Sequence, residues 1–382
     1  MSGMLTEEQT LIQRTARGFA MNEVLPAANE LDLQRGDIPA HIIERAAELG
    51  FFGILIPEEY GGLGLGCLEY CLVTEELSRA WMSVGSIIRP MIGMQGFSEA
   101  QKQKHLPRMA SGEALGAFAF SEPSAGSDLS SLSCRARRDG DDWVITGNKY
   151  WCTFADGADY ILLLARTNPE EKRHRGISAF MIEKERGKLP AGVSGAPIPK
   201  IGYFGWKTWE LSFDECRVPH AAMVGGEGKG FYVTTSGLET ARAHTAARAI
   251  GLARGALEDA VEYAKERVQF GKPIGAFQAI RFKLAQMATE IEAARQLLLH
   301  VCMMIDTGER CDKEASMAKL HATEMAQRVT SEALQIHGGA GYTTLHAVER
   351  YWRDARLTKI FEGTSEIQMR IISDHLLGKA GV

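Results

Sequence analysis

The sequence lacks the marks of several large protein classes. Its seven cysteines form no Cys-x-x-Cys pair and have no spacing with the ten histidines that is typical of zinc, so no metal site is expected. Lys and Arg are dispersed in a chain of net charge −5, which argues against a nucleic-acid partner. The longest strongly apolar stretches, such as residues 160–165, are far too short to span a bilayer.

The N-terminus also lacks a basic region followed by an apolar core, so no signal peptide is visible. Reduced thiols in a cytoplasm are the simplest interpretation of the scattered cysteines. Two glycine-rich stretches lack the features of nucleotide sites. "GGLGLG" fails the Gly-x-Gly-x-x-Gly spacing, and "GGEGKGF" has Gly-Lys without the Ser or Thr of a phosphate loop, so both are predicted to be loops or hinges.

What is present is a soluble globular balance, with 45% hydrophobic and 24% charged residues in 382 residues, enough for two or three domains. Helical spacing over residues 5–28, 38–49 and 70–79 predicts an N-terminal helical domain at 1–116. Alternating or buried segments such as "DDWVITGNKYW", "YILLLART" and "TWELSFDECRV" predict an antiparallel β domain at 117–234, a small barrel or sandwich.

From residue 235 to 382 the pattern is helical again. Helices are predicted over 238–267, along an apolar stripe from 277 to 291, over 311–337, and from about 364 to 378. Long helices with short connections are typical of an antiparallel four-helix bundle. The predicted fold class is therefore α+β and multidomain, with the β domain between two helical ones.

One carboxylate sits at an unusual place in "TKIFEGTSEIQ". Glu362 follows an apolar pair and precedes a helix that Thr364 or Ser365 would cap, with Ser365-x-x-Gln368 matching a capping box. Glu362 has two interpretations on this stretch alone. It is either a solvated acid near a helix N-terminus or a general base aimed into a pocket.

A second stretch, "FAFSEPSAGSD" (118–128), offers hydroxyls and exposed backbone N–H groups to an anionic or carbonyl-rich ligand, or is a polar turn. It resembles a signature of the acyl-CoA dehydrogenase family. Four further stretches resemble family elements in family order, over essentially the whole chain: "NKYWCT", "ERVQFGKPIGAFQAI", "QIHGGAGY" and "RDARLTKIFEGTSEIQ".

The resemblance implies a reaction and a base. Family members oxidise an acyl-CoA thioester to the trans-2-enoyl-CoA with FAD, and Glu362 falls on the position of the usual base, which removes the α-proton. Some relatives carry the base elsewhere, but the matching residue here is Ala241, which leaves Glu362 as the candidate. We expect an ordinary carboxylate in the resting enzyme, whose pKa rises when substrate excludes water.

The resemblance also implies binding residues and partners. FAD would be held by residues from three parts of the chain: Phe118, Phe120, Ser121, Trp151, Thr153, Arg267, Gln269, Phe277, Gln278, Gln335, Ile336, Gly338, Gly339, Thr364 and Glu366. The CoA thioester would meet Ser127, Glu239, Arg242 and Gly363. Many family FAD contacts come from a neighbouring subunit, which implies a homotetramer, and electrons would pass to an electron-transfer flavoprotein.

Some positions keep an alternative. Arg242 could instead form a salt bridge on a helix surface. Arg89 would select an anionic, dicarboxylic-type acyl group if it reached the acyl pocket, but it could be a surface or interhelical charge, and so could Arg79. Glu366 stands where Gln is common. The same scaffold also carries lyases or desulfinases and flavin monooxygenases, which tend not to need Glu362, and a non-enzymatic CoA- or flavin-binding protein is a further alternative.

Overall fold

The N-terminal part of the chain is helical. A computed structural model describes residues 5–88, 94–171 and 173–378. Thr6 caps the first helix by accepting a hydrogen bond from Gln9 N. The helices are α1 (Glu7–Phe19), α2 (Leu25–Leu31), α3 (Ala40–Glu48), α4 (Cys67–Ala80), α5 (Met82–Ile87) and α6 (Glu99–Ala110). A π-helical turn, Ala20–Val24, joins α1 to α2, so residues 7–31 form one continuous helix, as predicted for 5–28.

The middle part is built on one sheet. In the described residues it has eight strands: β1 (Gly116–Ala119), β2 (Arg135–Asp139), β3 (Asp142–Thr153), β4 (Tyr160–Arg166), β5 (Ile177–Glu183), β6 (Val193–Pro197), β7 (Thr208–Pro219) and β8 (Met223–Val224). Their order is β6-β7-β3-β2-β4-β5-β8, with β1 beside β4.

Most of these pairs are antiparallel, as predicted, but β4 pairs in parallel with both β1 and β2. The sequence of β4 explains why it lies at the centre. Its first six residues, YILLLA, are all buried, which is typical of a strand covered on both faces. The long β3–β7 ladder runs from Asp142 opposite Pro219 to Thr153 opposite Thr208, with register shifts after Ile145 and Lys149.

The C-terminal part is helical, and its described elements outnumber the four predicted helices. They are α7 (Gly230–Thr235), α8 (Leu238–Glu266), the hairpin β9 (Val268–Gln269) and β10 (Lys272–Pro273), α9 (Gln278–Asp306), α10 (Asp312–His337), α11 (Val348–Thr358) and α12 (Ser365–Leu377). The sequence analysis missed α11 because its buried face carries Arg350 and Asp354, which hide the apolar stripe. The domain boundaries at 116/117 and 234/235 stay predictions.

The central element of the fold is α8, which packs against α4 on one side and α10 on the other. Alanines fill its contact faces, and Ala246, Ala249 and Ala253 have no exposed surface. At Gly251 a Cβ would lie 2.3 Å from the Glu75 carbonyl oxygen of α4, so only glycine permits this close approach. The first and third helical regions therefore share one core around α8.

Within the described residues, no helix is long and apolar enough to cross a membrane. All seven cysteines are free thiols, and all are buried.

Candidate active site

Glu362 lies in the turn between α11 and α12. Its φ is +53° and that of the next residue, Gly363, is +88°, so the turn has two successive left-handed residues. The Gly363 carbonyl accepts hydrogen bonds from Lys319 Nζ of α10 at 2.6 Å and from Gln368 Nε2 at 3.0 Å. A glutamate at positive φ is strained, and strain of this kind is concentrated at functional sites. The turn is thus held in an unfavourable conformation by its neighbours.

The capping box predicted at Ser365 is wrong. Thr364 is the N-cap of α12, and its hydroxyl accepts from Ile367 N at 3.3 Å. Ser365 instead donates to Glu324 Oε1 at 2.8 Å, and Gln368 turns back to Gly363. These contacts fix the start of α12 against α10, which leaves Glu362 just before the cap.

The Glu362 carboxylate is an ion-pair partner and not a solvated acid. Its Oε1 accepts from Arg248 Nη2 at 2.6 Å, and its Oε2 accepts from the Thr245 hydroxyl at 2.6 Å. Burial acts to raise the pKa of Glu362, but the positive charge of Arg248 and the hydrogen bonds of Arg248 and Thr245 outweigh it and hold the pKa at about 2. The expectation of an ordinary resting carboxylate therefore needs correction, since a cation on α8 lowers its pKa.

Arg248 is a buried cation that the sequence analysis did not single out. Its side chain is 1% exposed, whereas that of Glu362 is 25% exposed. Nη1 donates to the Ser86 hydroxyl of α5 at 3.0 Å, and the guanidinium lies 4.5 Å from the centre of the Phe361 ring. Glu362 thus stands between a sealed guanidinium and the open side of the site. A charged residue inside the Ala-rich face of α8 is the signal that could have revealed it.

Aromatic contacts join the Glu362 turn to the β-sheet. Phe361 packs edge-on against Tyr203, with ring centres 5.9 Å apart, and Tyr203 packs against Trp206 at 5.2 Å. Trp206 in turn contacts Phe154 at 5.7 Å, directly after the end of β3. Because Phe154 follows Thr153, the predicted flavin residues of β3 lie on the same side of the molecule as the predicted base.

The predicted flavin contacts of the β domain are brought together by β1 and β3. The rings of Phe118 and Phe120 lie 5.3 Å apart, and the Ser121 carbonyl accepts from Tyr150 N of β3 at 2.8 Å. Trp151 is 57% exposed with a φ of +65°, so its indole is displayed on the surface. The Thr153 hydroxyl lies 3.1 Å from that of Thr208.

The sequence analysis also missed a buried ion pair that joins the stretch at 118–128 to the stretch "NKYWCT". Lys149, with no exposed surface, donates to Glu122 Oε1 at 2.9 Å and to the Phe120 carbonyl at 3.0 Å. Glu122 further accepts from Ser133 N and Cys134 N. The Glu122 carboxylate therefore holds the loop between β1 and β2. The ion pair gives both Glu122 and Lys149 a structural role.

The other predicted FAD residues form two groups. Thr364 and Glu366 lie at the start of α12, next to Glu362, whereas a larger group lies far from Glu362 within one chain. The backbone of Arg267 follows Arg248 by 19 positions, which is roughly 28 Å along a helix. Tyr263 of α8 stacks on His337 at 4.2 Å, so the ends of α8 and α10 are adjacent. One end of the bundle thus holds these residues: Arg267, Gln269, Phe277, Gln278, Gln335, Ile336, Gly338 and Gly339.

The predicted CoA residues of α8 lie at its first turns. Glu239 Oε1 accepts from Cys311 N at 2.9 Å, and Arg242 Nη1 lies 3.5 Å from Asp312 Oδ1. Arg242 therefore forms a salt bridge, as the alternative expected, but at 6% exposure this salt bridge is mostly buried between α8 and α10 and not on the helix surface; its contact with CoA stays a prediction. A cleft of about 810 Å³ opens beside Gly237 and Thr240. Ser127 is exposed in the loop after β1.

The two arginines considered for the acyl pocket have different outcomes. Arg79 is 4% exposed and donates to Glu258 at 2.8 Å, to Asp259 at 3.3 Å and to the Tyr351 hydroxyl at 3.3 Å. It is therefore an interhelical charge and does not face a substrate. Arg89 lies outside the described residues.

Three buried thiols form the group best suited to a soft metal ion in the described residues. The sulfurs of Cys67, Cys71 and Cys302 lie within 4.8 Å of one another. Cys67 is 3.9 Å from Cys71 and 3.8 Å from Cys302, which is also the spacing of packed thiols. The expectation of no metal site stays a prediction.

The chain belongs to the acyl-CoA dehydrogenase family. The family models described as the N-terminal, middle and C-terminal domains of acyl-CoA dehydrogenase match residues 6–113, 117–216 and 228–377. Together they cover nearly the whole chain in the order helical, β, helical, which confirms the predicted fold class and the family resemblance. Members of this family are FAD-dependent oxidoreductases acting on CH–CH groups.

Individual proteins of the family are similar over nearly the whole of this chain. An acyl-CoA dehydrogenase of Bacillus subtilis is 43% identical, over 98% of this chain and 99% of that protein. A (2S)-methylsuccinyl-CoA dehydrogenase of Cereibacter sphaeroides is 44% identical, over 98% of this chain and 70% of that protein.

Solved structures of proteins in this family are also similar to this chain. A butyryl-CoA dehydrogenase from Megasphaera elsdenii has a TM-score of 0.93 at 36% identity, covering 99% of this chain and 100% of that one. A glutaryl-CoA dehydrogenase from Mycobacterium smegmatis in complex with FADH2 has a TM-score of 0.91 at 28% identity, covering 99% and 96%.

Proposed function

We propose that the protein oxidises an acyl-CoA thioester to the trans-2-enoyl-CoA and passes the electrons to an electron-transfer flavoprotein. The observation that carries this proposal is Glu362. It is a carboxylate in a strained turn, tied by aromatic contacts to the face of the sheet where the predicted flavin residues meet. A base and a redox cofactor on either side of a substrate are what α,β-dehydrogenation requires.

The residues present fit an FAD ring. Trp151 displays its indole at positive φ on β3, and the N–H of the preceding residue, Tyr150, donates to the Ser121 carbonyl, just after Phe118 and Phe120. A flat apolar surface with a few hydrogen-bonding groups at its edge suits an aromatic cofactor. FAD, when bound, supplies the acceptor for the hydride from the substrate β-carbon.

Each remaining residue has a defined task. Glu362 takes the α-proton, and removal of that proton allows the double bond to form. Ser127, Glu239, Arg242 and Gly363 hold the CoA thioester, and the cleft at the start of α8 gives it room. Phe361 packs on the Arg248 guanidinium, and a bound acyl chain would exclude water from the Glu362 carboxylate, so the base becomes stronger once Arg248 no longer compensates its charge.

We also propose a homotetramer in which Arg267 and its companions serve the neighbouring subunit's flavin. Their separation of roughly 28 Å from Arg248 supports this assignment. Apolar side chains are displayed at the same end of the bundle, with Phe270 94% exposed and Tyr342 86% exposed. Such exposed apolar surface marks an interface.

The test is a spectroscopic assay. Purified protein should carry a yellow flavin identified as FAD, and anaerobic addition of a suitable saturated acyl-CoA should bleach it. An electron-transfer flavoprotein or an artificial dye should then restore turnover. Protein that binds no FAD after incubation, or that binds NAD in its place, would refute the proposal. Retention of Glu362 disfavours a lyase or monooxygenase. A lyase would turn over without net flavin reduction, and a monooxygenase would consume O2 and an external reductant.

A further inference from the structure

A buried positive charge lies directly behind the proposed base. In the resting structure both oxygens of Glu362 are occupied, one by Arg248 and one by Thr245, each at 2.6 Å. Each carboxylate oxygen has a second lone pair, but the pairing with Arg248 makes Glu362 a weak base and holds it on α8. We expect Glu362 to accept the α-proton once it has turned away from Arg248.

Departure of Glu362 would leave Arg248 poorly compensated. Its other hydrogen-bond partners are the hydroxyls of Ser86 and Thr245, which carry no charge. Lys319, also buried, adds a second cationic group on the far side of the turn. Removing one partner of a buried ion pair is strongly destabilising because the remaining charge cannot be solvated. Substrate binding must therefore provide a replacement for the carboxylate.

The surroundings of Arg248 also contain hydrogen-bond donors that have no partner. Among the described residues, Arg248 Nε–H and the Tyr70 hydroxyl are buried and have no hydrogen-bond partner. Each side chain is about 1% exposed. Tyr70 packs on His244, one turn before Arg248, with ring centres 4.9 Å apart. Buried donors without partners are costly, and a ligand oxygen would satisfy them.

We propose that the substrate of this dehydrogenase carries a carboxylate on its acyl group, which replaces Glu362 on Arg248 and thereby frees Glu362 to act as the base. This inference rests on the proposed dehydrogenation. The chemistry is otherwise unchanged. The α C–H bond breaks and its proton goes to Glu362, the hydride leaves the β-carbon for the flavin, and the α,β double bond forms.

The geometry limits the length of the acyl chain. A glutamate side chain has three C–C bonds beyond its backbone, so rotation moves its carboxylate by roughly 5 Å. If an acyl carboxylate takes the resting place of the Glu362 carboxylate, the substrate α-carbon beside the displaced Glu362 would lie within about this distance of it. Two or three C–C bonds span this gap, so the acyl group is a short diacid of succinyl or glutaryl type, with or without a methyl branch.

The acyl carboxylate would change the strength of Glu362 as a base as well as the affinity for the substrate. A substrate without the anion leaves Glu362 paired with Arg248, where it is a weak base. The limiting rate of flavin reduction should therefore depend on the acyl carboxylate. A residue that merely stabilised the fold would change neither this rate ratio nor the relative affinities.

The experiment uses the FAD-loaded enzyme in anaerobic rapid mixing with butyryl-CoA, succinyl-CoA, methylsuccinyl-CoA and glutaryl-CoA. At least one diacid thioester should bleach the flavin with a limiting rate at least about 30-fold above that of butyryl-CoA, the low end of what a buried charge pair is worth. Arg248→Met should remove this preference and speed butyryl-CoA, since Glu362 is released. Arg248→Lys should retain part of it.

Two controls separate a specific effect of Arg248 from the general effect of removing a buried arginine of α8. Arg254→Met removes another arginine of α8, one that pairs with Glu75 and Glu76, and should leave the ratio unchanged. Calorimetry in Glu362→Gln, which does not turn over, should show tighter binding of the preferred diacid thioester than of butyryl-CoA. The added substitution Arg248→Met should abolish that difference.

The outcomes are distinct. Bleaching by butyryl-CoA as fast as by every diacid in the unmodified enzyme would overturn the inference and leave the dehydrogenation standing. A diacid preference that survives Arg248→Met but is lost in Arg89→Met would move the anion site to Arg89 and overturn the assignment to Arg248. No bleaching by any thioester of a wider panel that includes long, branched and aromatic acyl groups would refute the proposed function itself, and the inference with it.

Discussion

Replacing Glu362 with glutamine removes the proposed base with little change of shape. The carboxamide oxygen can still accept from Arg248 and the NH2 group can donate to the Thr245 hydroxyl, but the amide cannot take a proton from the substrate α-carbon. Flavin reduction by substrate should fall by roughly 10²–10⁴-fold, the usual contribution of a positioned general base. The loss should appear in the limiting reductive rate and not chiefly in KM, because proton transfer stabilises only the transition state.

The same substitution has a calculable effect on stability. The pKa of Glu362 falls from its ordinary value of 4.5 to about 2 in the folded chain, which corresponds to about 3 kcal/mol of stability at neutral pH. Because the folded pKa is depressed, this contribution is present above pH 4.5 and is lost as the pH falls towards 2. At pH 4 the unmodified protein should have lost roughly 1 kcal/mol of it, whereas Glu362→Gln has none to lose.

Stopped-flow absorbance of the flavin measures the rate, and thermal unfolding from pH 7 to pH 4 measures the stability. Dithionite should reduce the flavin of Glu362→Gln normally, which guards against a damaged site. Glu262→Gln makes the same acid-to-amide change at an exposed position of α8 and should alter neither quantity. Rapid bleaching by substrate in Glu362→Gln would mean that another residue is the base, and the mechanism argued from this turn would be wrong.

Three further changes test other parts of the structure. Arg79→Met should destabilise the fold by about 3–5 kcal/mol, because Glu258 and Asp259 lose their buried partner; acyl-CoA preference should not change, and a change would return Arg79 to the substrate site. Trp151→Ala should leave the thermal midpoint of the FAD-free protein nearly unaltered, since the indole is 57% exposed, but should weaken FAD binding in fluorescence titration. Phe270→Glu should shift the protein to smaller species in light scattering, and an unchanged mass would place the interface elsewhere.

The large elements of the fold were predictable because local physics dominates them. The stripe from Phe277 to Ile291 and the buried run of β4 each carry their own period, and both appear as a helix and a strand at the expected places. α11 escaped because tertiary partners satisfy its polar residues. Asp354 accepts from Tyr203 N at 2.6 Å, and Arg350 donates to Asn29, more than 300 residues away. No window of sequence contains such partners, so the polar residues of the buried face interrupt the stripe of Val348, Tyr351 and Ala355 and the helix was overlooked.

The active site was likewise predictable only in part. Glu362 could be found because the residues around it form a contiguous signature, and its position needed only neighbours in sequence. Its charge state could not, because the group that sets it, Arg248, lies 114 residues earlier in the chain. From sequence alone an ordinary resting carboxylate was expected, with its pKa raised only when the apolar pair and the bound acyl chain exclude water. In the structure Ile360 is half exposed and Phe361 packs on the guanidinium. A motif therefore identified the atom that accepts the proton, whereas the condition under which it can do so depends on a contact between α8 and a turn more than a hundred residues away.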